Sequence, residues 1–414
     1  MFCREGDKIV GMLSETIRSI ESSRKFSLLA FILIAGMILA AYSNTFTASF
    51  HFDDDAAIAE NPGIKRATTD NILTLLKGAR PVVSLSLMLN YQLSGLNVIG
   101  WHIFNIASHI MNSYLVYLLL LVTFTLPPLA GRYSNSARRM ALFGALLFGV
   151  HSIQTESVTY IISRSELLAT FFYLSTFLLF IRGTQSKSIR FHGAALVTAI
   201  LAVSSKEWAV TLPALLFIYD LLFLSGGRLK GVVAHWKGYL LVLVSWVPLF
   251  YSISLTASTN STIGFNMPEA GTGPQLTAYT YLLTSANVIW TYIRLLFLPI
   301  NQNLDYDYPI ATTLLQFPTL LSFVGHVAVI VCAFWLYRKK GSLLVPFGVA
   351  WFYIGLSPVQ SFVPIRDVIF EHRLYMPSIG FFIAFIAGYE AYFGWLESRS
   401  ARRTDPSGQQ AEAR

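Results

Sequence analysis

The stretch FSLLAFILIAGMILAAYSN, residues Phe26–Asn44, decides the fold. It carries no charge, and its length matches the ~20 residues an α-helix needs to cross the hydrocarbon of a bilayer. A secretory signal is the competing reading, but this apolar core outruns the roughly 7–15 residues of such a segment. We read it as an uncleaved first span. Comparable blocks recur at Trp101–Phe124, Gly238–Thr256 and Ser378–Leu396. The whole chain is 54% hydrophobic and 13% charged, with a mean hydropathy of +0.55. A soluble domain carries about twice that charged fraction. The expected fold class is therefore an all-α polytopic membrane protein.

A net charge of +8 could suggest nucleic acid, but the distribution of the basic residues excludes it. If Phe26–Asn44 runs from inside to outside, alternate loops are the basic ones. They are residues 1–25, 132–139, 182–190, 228–237 and 338–340, and the tail from Arg399. These stretches hold about 21 of the 30 Lys and Arg, as the positive-inside rule requires. The charge sets topology. Cys3 and Cys332 then lie on the cytoplasmic side or within the membrane, where no disulfide is expected.

The same rule bears on the block Leu276–Pro299. If it crossed, Arg338, Lys339 and Lys340 would land outside. It also contains Asn287 and Arg294, which a lipid-facing span tolerates poorly. We expect it to be an interfacial or re-entrant segment. About ten crossings remain, near 26–44, 101–124, 140–151, 166–181, 191–205, 208–224, 238–256, 313–337, 342–360 and 377–396. Residues 1–25 form the expected cytoplasmic N-terminal segment, 26–397 the membrane domain with a first outer loop at 45–100, and 398–414 a disordered cytoplasmic tail.

Conspicuous chemistry gathers in the loops this topology places outside. The run Asp53, Asp54 and Asp55 follows the first span. Adjacent carboxylates repel, so one holds its proton or the group recruits a cation. Either effect suits a general base or a metal site, and a plain solvated loop is the alternative. Arg80 precedes an amphipathic stretch from Val82 to Leu93 that fits a helix along the membrane surface. It could bind phosphate or snorkel. His102, Asn105 and His109 share one helical face. Zinc lacks suitably spaced partners there, and a hydrogen-bonded stripe facing the bundle interior is the simpler reading.

His151, Glu156, Arg164 and Glu166, joined in space by Lys206 and Glu207, form a further group. Mutual neutralisation competes with catalysis as its purpose. Late in the chain come Asp305 and Asp307, Arg366 and Asp367, then Glu371, His372, Arg373 and Tyr375. Arginines and a histidine at the mouth of the last span would suit a lipid-linked phosphate, with a structural network as the alternative.

Several ordered motifs carry a family resemblance. FDDDAAIAENP (52–62) and RPVVSLSLMLNYQLSGLNVIGWHIFNIASH (80–109) come first. HSIQTESVTYIISRSELLA (151–169), KEWAVTLPALLFIYDLL (206–222), LLFLPINQNLDYDYP (295–309) and EHRLYMPSIGF (371–381) follow. Together they resemble the membrane region of the transmembrane and tetratricopeptide-repeat O-mannosyltransferases and their prokaryotic relatives. Ser152, Ser163 and Glu166 stand where that family usually has Pro, Gly and Asp.

The resemblance implies a GT-C-like bundle with amphipathic helices in its outer loops. It also implies transfer of a sugar, mannose in the family, from a polyprenyl-phosphate carrier outside the cytoplasm of a bacterial or archaeal cell. The family's Asp pair falls on Asp53 and Asp54, one of which would be the base. Arg373 and His372, helped by Arg80, Arg164 or Lys206, would hold the departing phosphate. The acceptor is a protein, lipid or glycan hydroxyl; a divalent cation at the aspartates stays open. A transporter or flippase of a lipid-linked sugar or organic anion is the alternative. It would line a midplane cavity with polar groups and pair its two halves, whereas here polarity crowds one side.

Overall fold

The computed structural model describes residues 24–133, 135–258, 276–365 and 367–404. The expected cytoplasmic N-terminal segment up to residue 23, the tail from 405, Cys3 and Arg366 lie outside them. Among the described residues every regular element is helical. Four helices are long and apolar enough to cross a membrane: Val98–Thr125, Ile161–Ser186, Glu207–Leu224 and Phe317–Lys339. Other expected crossings are shorter apolar helices, among them Lys25–Ala41, Ile189–Val203, Leu344–Leu356 and Pro377–Glu390. The block expected at 238–256 is interrupted at Ser245, giving Trp236–Val244 and Trp246–Ser258. Among the described residues, four of the ten expected crossings, 101–124, 166–181, 208–224 and 313–337, thus fall on helices of full spanning length.

The chain forms two compact units. The first contains α1 (Arg24–Ala41), α2 (Pro81–Ser94), α3 (Val98–Thr125), α4 (Ala137–Val150), α5 (Arg164–Ser186) and α6 (Ile189–Val203). In α1 the buried residues Phe26, Ala30, Ile34 and Ile38 recur every fourth position. That spacing lays one narrow seam against α3 and α4, while Leu28, Ile32 and Met37 stay exposed. Helix α3 is the central post. Its polar stripe is fully buried and bonded: Asn105 donates to the Val158 and Ile161 carbonyls, and Asn112 to that of Leu167 at 2.9 Å. Between α1 and α3, Ile58, Ile64, Val83, Leu87, Met88, Trp101 and Ile161 build a small core of their own. This core anchors the first loop from both of its ends.

The second unit contains α7 (Ala278–Phe297), α8 (Phe317–Lys340), α9 (Leu344–Leu356) and α10 (Pro377–Thr404). Helix α7 covers the block expected to be interfacial or re-entrant. It is unbroken and starts with a reciprocal cap between Thr277 and Thr280. It buries Tyr281, Val288, Tyr292 and Leu295 and exposes Tyr279 and Phe297. Helices α9 and α10 meet at Gly348 and Gly380, where an added Cβ on Gly348 would lie 2.3 Å from the Gly380 carbonyl oxygen. Helix α10 continues past the expected domain end at 397 to Thr404.

Candidate active site

The aspartate run splits into residues with different surroundings. Asp53 and Asp55 are exposed, whereas Asp54 is 1% exposed. Asp54 Oδ1 accepts the Ile162 N–H at 2.8 Å, and Oδ2 accepts the His51 N–H at 3.2 Å. Burial pushes its carboxyl up to about 6, against the pull of those backbone donors. The Asp53 N–H donates to the Tyr160 hydroxyl at 3.0 Å. Between these anchors Phe52 sits in the left-handed region, with φ of 50° and an exposed ring. That is a costly conformation for a bulky side chain.

The segment Tyr160–Ile162 that holds the aspartates leads directly into α5, whose first residue is Arg164. Arg164 is fully buried. Its Nη2 donates to Asn90 Oδ1 at 2.8 Å and its Nη1 to the Ser86 carbonyl at 3.2 Å. The guanidinium also lies over the Phe104 and Trp101 rings, 4.2 and 5.1 Å from their centroids. Its Nε has no partner, and no carboxylate forms an ion pair with it among the described residues.

Arg80 and Lys206, by contrast, are paired. Arg80 forms a fork with Glu207, Nε to Oε1 and Nη2 to Oε2, both at 2.9 Å. Lys206 Nζ lies 3.0 Å from Glu166 Oε1, and Trp208 Nε1 donates to Glu166 Oε2 at 2.6 Å. Burial holds the Lys206 ammonium below its ordinary range, opposed by the Glu166 charge. Each of these cations thus sits beside a carboxylate that neutralises it. His102 is buried and its Nε2 bonds the Ala48 carbonyl oxygen at 2.9 Å. The His151 ring accepts the Ile153 N–H and caps its own turn. Glu156 is buried in the short helix that follows.

In the second unit the late cluster organises a loop. Glu371, 2% exposed, accepts from Gln302 Nε2, the Asn303 N–H and the Tyr306 hydroxyl. Burial first, then the Glu371 charge, push the Tyr306 phenol above its ordinary value. Asp305 is exposed and its N–H donates to Asn303 Oδ1. Arg373 gives Nη2 to the Asp367 carbonyl at 2.8 Å and stacks on Phe370. His372 stacks on the same ring, and Tyr375 is fully buried. Sequence reading missed Tyr160, Trp208 and Gln302, neutral residues whose part appears only through distant partners.

A divalent cation would need a donor set that the aspartate loop does not offer. Asp54 spends both oxygens on N–H groups, and no group of three His, Cys, Asp or Glu able to hold a metal occurs among the described residues.

Three comparisons with curated proteins bear on this arrangement. The chain is 27% identical over 406 residues to protein O-mannosyl-transferase TMTC3 of Homo sapiens, covering 86% of this chain and 42% of that protein. It is 25% identical over 415 residues to TMTC4 of the same organism, covering 87% and 55%. It is 24% identical over 452 residues to Tmtc3 of Drosophila melanogaster, covering 89% and 47%. The chain is a relative of the TMTC proteins. It spans about half the length of the curated relatives it matches. No family model matches it. The likeness to TMTC3 covers most of this chain, so it is not a match confined to one motif.

Proposed function

We propose that the chain transfers a monosaccharide, mannose by the names of its relatives, from a polyprenyl-phosphate carrier to an acceptor hydroxyl on the non-cytoplasmic face. The observation that carries the reading is the division of labour in the aspartate run. Asp53 and Asp55 are exposed, while Asp54 between them is buried and holds the loop in place.

In this reading Asp53 is the base. It takes the proton from the acceptor hydroxyl as that oxygen attacks the anomeric carbon. The bond from that carbon to the carrier's phosphate oxygen breaks, its electron pair leaves with the phosphate, and configuration inverts. The phosphate departs already ionised, so no general acid is required. Asp54 braces the loop. Arg164 supplies positive potential close by, whereas Arg80 and Lys206, engaged with Glu207 and Glu166, keep the surrounding turns in register.

The test is turnover by purified protein in nanodiscs. Polyprenyl-phosphate mannose is supplied with membrane and soluble acceptors, and release of polyprenyl phosphate is followed. We expect acceptor-dependent release that drops at least about 100-fold in Asp53→Asn, the lower end for loss of a general base, with insertion and expression intact. Full activity of Asp53→Asn would refute the assignment of the base. No release from any of several lipid-linked sugars would refute the transferase, and a flipping assay would then test the transporter.

A further inference from the structure

The aspartate loop needs something to hold it, and its own sequence supplies only part of that. Phe52 has a left-handed backbone, yet its ring is 64% exposed, so side-chain packing does not enforce the conformation. Upstream, Phe50 packs edge-on against Trp101, and downstream Ile58 enters the small core. Besides the local turn bonds from the Asp54 and Asp55 N–H groups to the His51 and Phe52 carbonyls and the Ser49–His51 side-chain contact, residues 51–54 are held by three hydrogen bonds to side-chain oxygens or to Ile162. Two belong to the Asp54 carboxylate. The third runs from the Asp53 N–H to the hydroxyl of Tyr160, 107 residues away.

We propose that Tyr160 is a positioning residue for Asp53, its hydroxyl fixing the backbone of that residue and through it the place from which the carboxylate projects. The role rests on the reading of Asp53 as base given above. The phenol accepts one hydrogen from the Asp53 backbone and retains its own to donate. Burial, then the carboxylate charges of Asp53 and Asp54, keep that proton in place. A single hydroxyl thus sets the turn that follows Phe52 and the place from which the carboxylate projects. Acidic residues alone would not do this, because adjacent carboxylates repel and would splay the loop. Tyr160 stands two residues before Ile162, whose N–H meets Asp54, so one short segment aligns both aspartates.

The experiment uses the full chain in nanodiscs with Tyr160→Phe, which keeps the ring and removes only the hydroxyl, and Tyr160→Leu as a second variant. Two quantities are read: hydrogen–deuterium exchange of the peptide covering residues 51–55, and steady-state transfer from polyprenyl-phosphate mannose. We expect faster exchange of that peptide in both variants. In Tyr160→Phe we expect kcat to fall about 3- to 10-fold, the size of one lost neutral hydrogen bond, with KM for the donor and the thermal midpoint unchanged. Unchanged exchange overturns the proposal. Faster exchange with unchanged kcat leaves Tyr160 a structural brace and overturns its positioning role, as does a loss confined to KM. If the wild-type protein transfers nothing, the transferase reading is what fails, and exchange alone decides whether Tyr160 holds the loop.

Discussion

Replacing Asp54 by Asn should change stability in a way that depends on pH. Asp54 is buried, and its carboxyl is raised from 3.8 to about 6. A carboxyl raised on folding binds its proton more tightly in the folded protein. Its contribution is therefore fully present below about pH 4 and lost as pH rises through about 6. The difference of roughly 2 pK units corresponds to about 3 kcal/mol, at 1.36 kcal/mol per unit. Asn cannot ionise and resembles the protonated acid in shape. Its amide nitrogen cannot accept the N–H that the second Asp54 oxygen takes, so at pH 4 the variant should be the less stable by about 1–3 kcal/mol. By pH 8 the difference should have moved in the variant's favour by up to about 3 kcal/mol relative to that starting point, because the wild-type carboxylate has become a buried charge.

Thermal unfolding in nanodiscs, followed by intrinsic fluorescence at half-unit steps from pH 4 to 8, measures the difference. It should shift between pH 4 and 6 and then level. A difference that stays flat across that range would show that Asp54 is not the buried, proton-retaining brace described here. Its activity should fall less than that of Asp53→Asn, because only the support of the base is weakened.

Glu166→Gln leaves one oxygen to serve both Lys206 and Trp208. It should destabilise by about 3–5 kcal/mol, as expected when one partner of a buried pair is removed; adding Lys206→Met should recover most of the loss in the same unfolding assay. Gly348→Ala places a Cβ 2.3 Å from the Gly380 carbonyl oxygen and 2.9 Å from the Ala384 nitrogen. Both are backbone atoms that cannot yield without moving a helix, so the variant should lose about 1–3 kcal/mol or more, and Gly388→Ala, which meets nothing within 4 Å, is the control.

Hydropathy was enough to find the helices but not to measure them. The block at 238–256 reads as one span because its apolar residues are continuous, yet its helix is interrupted where Ser245 bonds back to the Val242 carbonyl. The aspartate run stood out because three adjacent carboxylates are unusual anywhere. Which one is buried could not be read from it, since the N–H group of Ile162 that fixes Asp54 lies 108 residues away. The same distance problem hides the partners of the cations. Arg80 and Lys206 look available for phosphate as isolated residues, but Glu207 and Glu166 occupy them, the first across 127 residues. Glu371 likewise reads as part of a phosphate site, whereas three donors from the 302–306 loop consume its carboxylate.

Arg164 stands apart from those paired cations. A salt-bridged charge is cancelled a few ångströms away by its partner's, and little of it is felt beyond. Arg164 is solvated instead by an amide, a carbonyl and two aromatic faces, all dipoles or quadrupoles whose fields fade faster than that of a net charge. Its monopole survives and acts on Asp54 across the intervening turn. In a medium of low dielectric such a charge carries far, and salt in the surrounding water screens it poorly. The first unit therefore holds a permanent source of positive potential behind its aspartate loop, one that an arriving anion need displace no carboxylate to use.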